Sequence, residues 1–131
     1  MKEYKKSEVL DKLAVAFEAG VNKARLMERH GLHYGDVIRS EWGNFIHPEY
    51  EELNEAYTVF MKCRQEFMFT VKRYYAERRQ DVPAELMEVF NVFMNKLMGP
   101  FDEEMWRADF RAVIGEAEEM IREDEQLEFD F

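Results

Sequence analysis

The chain has 131 residues, enough for one domain with one hydrophobic core, and its 47% hydrophobic and 15% aromatic content excludes disorder as the overall state. No apolar run approaches the ~20 residues a membrane helix needs, no apolar segment follows Met1-Lys2-Glu3-Tyr4-Lys5-Lys6 as a secretion signal requires, and a lone Cys63 excludes a disulfide framework, which points to a cytoplasmic protein without membrane partners. The net charge of −10 is uneven: residues 1–80 carry 14 Lys/Arg against 13 Asp/Glu, residues 81–131 carry 4 against 15, so the last third is a poor neighbour for phosphates and the first part is not.

The predicted fold is all-α. Ser7 is placed to cap a first helix with Leu10, Leu13 and Phe17 on its buried stripe, and Gly20 is placed to stop it. Asn22 reads as the next N-cap, with Val21 and Leu26 spaced for a hydrophobic staple. That second helix, Lys23 to His30, ends at Gly31 in a left-handed turn with Leu32 packing back behind it. A short third helix is expected from Tyr34 to Trp42. These three helices make an N-terminal helix-turn-helix-like unit over residues 1–46.

Residues 47–100 read as a long helical hairpin suited to oligomerisation. Pro48 fits the first position of a helix whose positive end is favoured by Glu49, Glu51 and Glu52. Tyr50, Leu53, Tyr57, Phe60, Arg64, Phe67, Val71 and Tyr74 then follow a 3-4 spacing with one polar member, a coiled-coil-like seam. A helix reaching Arg79 is roughly 50 Å long at 1.5 Å per residue, more than the ~35 Å breadth of a compact domain of this size, so it is expected to project into a partner subunit through Tyr57, Phe60, Arg64, Phe67 and Tyr74. Pro83 opens a further helix that Gly99-Pro100 closes; its apolar arc of Leu86, Met87, Val89, Phe90, Phe93, Met94, Leu97 and Met98 is wide enough for burial on two sides. Residues 101–131 form an acidic helix and tail, with Asp102 as cap, a seam of Trp106, Phe110, Val113, Ala117 and Met120, and helix failing near Asp124.

The chemistry-bearing residues form no catalytic pattern. There is no phosphate-cradling glycine loop, and Ser7 and Ser40 lack a His/Asp constellation. His30 and His33 flank a helix-ending glycine without further ligands at compatible spacing, so no metal or other cofactor is expected. Cys63, mid-helix among apolar neighbours, reads as a packing residue. The expectation is a non-enzyme that binds through surfaces.

The stretch Phe17 to Tyr50 carries the sharpest pattern. Ala24 and Leu26/Met27 inside a first helix, Gly31 at the turn, Leu32 after it and Val37/Ile38 in a following helix fill the positions a helix-turn-helix needs. Lys23, Arg25, Arg29, Tyr34 and Arg39 are then the candidate DNA contacts. This order, followed by His47-Pro48-Glu49-Tyr50 opening a long amphipathic helix, resembles the small subunits of bacteriophage terminases over residues 7–98. The resemblance implies a DNA-binding N-terminal unit, paired central helices that build a homo-oligomeric ring, a C-terminal segment that meets a protein of the packaging machinery, and a host-cell cytoplasmic location. It departs from that family at His33-Tyr34-Gly35-Asp36, where Ser/Thr-rich starts are usual, and at Ser40, a position commonly aromatic.

A second motif competes. Gln126-Leu127-Glu128-Phe129-Asp130-Phe131 resembles the hexapeptide with which bacterial replication and repair proteins dock on the sliding clamp, with Gln126, Leu127, Phe129 and Phe131 as its docking residues. The alternative function is accordingly a small acidic inhibitor or adaptor, of the anti-restriction or anti-CRISPR kind or clamp-binding, that engages a protein of nucleic-acid machinery.

Overall fold

The computed structural model describes residues 3–32 and 51–129, and of residues 122–129 the backbone alone. The described residues form four helices and no strand: α1 (Lys6–Arg29), α2 (Glu51–Glu77), α3 (Ala84–Lys96) and α4 (Glu103–Phe129). The all-α expectation holds. The third N-terminal helix, with Tyr34 and Arg39, and the Pro48 start of the long helix lie outside the described residues.

Two predicted N-terminal helices are one. α1 runs for 24 residues straight through Gly20 and Asn22, and it begins after Lys5 without a side-chain cap, so Ser7 sits inside its first turn. Glycine in a helix interior costs roughly 1 kcal/mol relative to alanine, but here its missing side chain lets two neighbours in. A Cβ on Gly20 would stand 3.1 Å from Phe60 Cε1 and 3.4 Å from Leu97 Cδ1. Gly20 therefore marks a close helix approach, not a stop. The predicted end at Gly31 is borne out: its φ is +67°, its N–H donates to the Glu28 carbonyl and the Leu32 N–H donates to the Met27 carbonyl. Leu32 packs back onto the cluster of Leu26, Met27, Leu53, Ala56 and Tyr57.

The helices alternate in direction. Antiparallel pairing of α1 and α2 follows from Tyr4 on Glu77, Lys12 on Glu66 and Met27 under Tyr57. α4 lies antiparallel to α1, with Arg25 on Glu103, Glu18 on Arg107 and Phe17 stacked on Phe110. α3 runs alongside α1, Phe17 meeting Phe93 and Gly20 meeting Leu97. This is an up-down-up-down bundle with a core of interdigitating side chains. Phe17, Phe60, Phe67, Phe90 and Phe93 are buried at its centre, each contributing about 1.5–3 kcal/mol of apolar transfer.

The long helix does not project. α2 has 27 residues, about 40 Å, and it is matched along its length by α1 with 24 and α4 with 27. The bundle is elongated enough to hold it. α2 ends through the N–H of Arg79 on the Ala76 carbonyl and that of Gln80 on the Tyr75 carbonyl, with Arg79 itself left-handed at φ 55°. Pro83 and Asp102 act as predicted: Pro83 precedes α3, and the Met105 N–H donates to Asp102 Oδ1 at 3.1 Å. The C-terminal expectation is corrected, because α4 continues past Asp124 to Phe129.

Candidate functional site: an acidic groove between α3 and α4

α3 is the most apolar of the described helices in composition, yet it is covered on only one side. Leu86, Phe90, Phe93, Met94 and Leu97 point into the core. The expected burial on two sides is not complete: Val89 of the predicted arc is half-buried, and Val92 beside it is 50% exposed. Val92 is the residue the sequence reading missed, and the arc that was too wide for one contact was the signal for it. Opposite it, α4 presents Ala112 and Val113. The two helices leave a groove of about 430 Å³ between them, with Val89, Val92, Phe93, Ala112 and Val113 as its apolar lining. On each helix the lining positions recur at spacings of three and four, which puts them on one face.

The rim of the groove is charged with one sign. Glu85 and Glu88 of α3 and Asp109 and Glu116 of α4 line it, against one cation, Lys96. Lys96 is committed to Asp109, Nζ to Oδ2 at 3.3 Å. α4 as a whole carries ten carboxylates and three arginines, a net −7. Two arginines, one from each helix, explain how so acidic a helix packs on α1: Arg107 of α4 donates to Glu103 and Glu18 at 3.0 Å each. Glu103 accepts from both Nε and Nη2 of Arg25, at 2.8 and 2.5 Å. These hydrogen bonds, from Arg25 first and Arg107 next, hold the Glu103 carboxyl below the usual carboxylate range, and the same bond raises Arg25.

That network decides where the predicted DNA contacts stand. Arg25 is neutralised by Glu103, and Arg29 is exposed. Lys23 is not a surface cation at all. It is 1% exposed, its Nζ donating to the Leu97 carbonyl at 2.5 Å. Its helical position is on the inner face of α1, a consequence of Lys23 sharing one continuous helix with Leu13, Ala16, Phe17 and Gly20. Tyr34 and Arg39 lie outside the described residues. The predicted oligomer seam is likewise corrected. Tyr57, Phe60, Phe67 and Tyr74 are buried in the chain's own core, at 0–2% exposure, because α1 already covers them; Arg64 is the half-exposed member. Gln126, Leu127 and Phe129 fall on helical backbone instead of an extended tail, and Phe131 lies outside the described residues.

The remaining chemistry is muted. Cys63 packs beside the core, and burial, then the Glu66 charge, pushes its thiol up, away from the thiolate. Among the described residues no cluster of His, Cys, Asp and Glu could hold a metal ion, and no helix is long and apolar enough to cross a membrane. Comparisons with models of known protein families, with characterised proteins and with solved structures gave no match.

Proposed function

We propose that the protein is a non-catalytic binding module that docks a basic amphipathic helix of a protein partner in the α3–α4 groove. The observation that carries this reading is the pairing of an exposed aliphatic floor, centred on Val92, with a rim of four carboxylates and one already paired lysine. An apolar stripe of a helix laid in such a groove gains burial, and flanking Lys/Arg meet Glu85, Glu88 and Glu116 across it. Complementary charge of this kind speeds encounter and selects against acidic partners. The probe is an 18-residue Leu/Lys amphipathic peptide titrated by fluorescence anisotropy. Micromolar binding to the native chain is expected, at least about tenfold weaker for a Val92→Asp, Glu88→Lys variant, the combined loss of one apolar anchor and one rim charge. A scrambled peptide of equal charge binds more weakly. Equal binding of native and variant chains overturns the assignment.

A second reading keeps DNA recognition in a terminase-small-subunit-like oligomer. It is favoured by the left-handed turn at Gly31 with Leu32 folded back, the geometry a helix-turn-helix needs between its helices. In that case duplex DNA binds with a steep salt dependence and Arg29→Glu weakens it, whereas Val92→Asp leaves it unchanged.

A further inference from the structure

α2 buries one face in the bundle, and its outer face has a pattern of its own. Glu55, Val59, Lys62, Glu66, Phe69 and Arg73 follow one another at spacings of four and three, which places them on one stripe along the helix. All six are exposed, Val59 at 53% and Phe69 at 56%. The stripe lies away from Leu53, Phe60, Phe67, Val71 and Tyr74, which point into the core. It borders α1 at Lys12, whose Nζ stands 3.5 Å from Glu66 Oε2. Val15, one turn beyond Lys12 on α1, is more than half exposed as well.

The stripe is its own complement. Read along the helix it runs acid, apolar, base, acid, apolar, base. A second α2 laid antiparallel across it, with the crossing point at residue 64, brings Val59 onto Phe69 of the second copy, Lys62 onto its Glu66 and Glu55 onto its Arg73. Two-fold symmetry makes each of these pairs twice. A parallel pair in register would instead set each charge against its like. Glu55, Lys62 and Arg73 make no ion pair among the described residues, so their charges are left for such a contact. Beside Phe69 a groove of about 330 Å³ lies between α1 and α2, walled by Tyr4, Lys12, Glu66 and Thr70, and it leaves room for Val59 of the second copy. The α3–α4 groove fits a second copy of itself badly, because Glu85, Glu88 and Glu116 give its rim one sign.

We infer that the outer face of α2 is a homodimer interface, in which two copies of the chain pair their α2 helices antiparallel about a two-fold axis at residue 64. This is a different face from the buried seam of Tyr57, Phe60, Phe67 and Tyr74, and the inference is independent of the α3–α4 groove, none of whose lining residues it uses. The apolar pairs supply burial, and the charged pairs fix direction and register, as charges flanking a helical seam do. The paired stretch from Glu55 to Arg73 is about 28 Å long at 1.5 Å per residue. One helix pair of that length falls short of a standard-sized interface, so the dimer is weak, with Kd on the order of 10 µM.

The test is sedimentation equilibrium of the full chain from about 1 to 200 µM, where a monomer–dimer equilibrium is expected. Phe69→Lys, at an exposed position that leaves the helical circular dichroism and Tm unchanged, raises Kd at least about tenfold. Glu55→Arg or Arg73→Glu alone sets like charges opposite each other twice, and each raises Kd about fivefold. The two combined exchange the partners and return Kd to within about twofold of the native value, a recovery that only facing side chains give. Val92→Asp leaves Kd unchanged. A chain that stays monomeric over the whole range overturns the inference, as does a dimer indifferent to Phe69→Lys or a double variant no tighter than the single ones. A dimer loosened by Val92→Asp overturns it too, since the second copy then sits in the α3–α4 groove.

Discussion

At the contact of α1 with α2, Gly20 lets the Phe60 ring come within 3.1 Å of where a side chain would begin, and Phe60, Phe67 and Tyr74 retain no exposed surface. At the contact of α3 with α4, Val92 is half exposed and a groove stays open above Val113. Both contacts join amphipathic helices with apolar positions at similar spacing. The difference lies in what flanks the apolar stripe. Small and aromatic residues interlock across the first contact, and a methyl-sized void there costs stability. Across the second, the carboxylates of Glu85, Glu88 and Glu116 line the rim beside the Lys96–Asp109 pair, and closing the groove would desolvate them. Close packing marks one half of the bundle and acidic opening the other, which is the half we propose for binding.

The largest effect expected is in the close-packed core around the closed contact. Phe67→Ala, which removes a ring packed edge-on against Phe90 at 4.8 Å, should cost about 3–5 kcal/mol, read from urea denaturation. Loss of the same size from Val92→Ala would erase the distinction between the two contacts. Gly20→Val follows, at about 2–3 kcal/mol, since the new methyl groups meet Phe60 and Leu97. The same experiment at Gly115 of α4, where an added Cβ meets nothing within 4 Å, should reverse the sign: Gly115→Ala gains about 1 kcal/mol from helix propensity.

These two glycines also show how far the sequence could be read. A glycine in a periodic pattern has two meanings, helix end or close approach, and only the partner side chains tell them apart. Gly31 was legible because Leu32 sits where a left-handed turn needs an apolar residue. Gly20 was not, since Phe60 and Leu97 lie 40 and more positions away in the chain. The same blindness sent the α2 seam to a partner subunit: its apolar spacing was correctly read, but its length was set against the breadth of a compact domain, and an α1 that continues through Gly20 makes the bundle long enough to cover it. Lys23 was assigned to DNA for the same reason, because the rotation of a helix split at Gly20 is undefined. In the groove, the acidic excess of the last third and the wide apolar arc of α3 were both legible; that they face each other across Val92 and Val113 is a fact of tertiary packing.

Lys23 gives the pH test of the closed half. Its amine titrates near 7 in the bundle against an ordinary value of 10.5, so the unfolded chain binds more protons throughout that window. Its contribution to stability therefore rises with pH from about 7 to about 10.5, with an order-of-magnitude slope of up to ~1.4 kcal/mol per unit, and the burden is greatest below 7, where the charge is buried. Lys23→Met should abolish this slope and stabilise the chain at pH 6 more than at pH 9. Burial pushes Tyr57 up to about 12, above its ordinary 10, so stability from that group falls only above pH 10 and leaves the window clear. A native chain whose urea midpoint does not rise between pH 7 and 9 relative to the Lys23→Met variant would place the amine in water.

The smallest effect sharpens the comparison at the end of α2, where the closed half hands over to the open one. Arg79 is exposed and left-handed, φ 55°, because the hydrogen bonds that end the helix demand that conformation at its position. A side chain with a Cβ pays about 1 kcal/mol there, whereas glycine adopts it freely. Glycine also loses more conformational freedom on folding than arginine's backbone does, which returns part of the difference. Arg79→Gly should therefore stabilise the chain by about 0.5 kcal/mol, visible as a rise of a few degrees in Tm. The substitution touches neither contact, so it should leave peptide binding in the α3–α4 groove unchanged. If it instead destabilises the chain, α2 does not end in this turn in solution, and the direction in which α3 sets out along the bundle is decided by Pro83 and the Leu86–Phe90 packing alone.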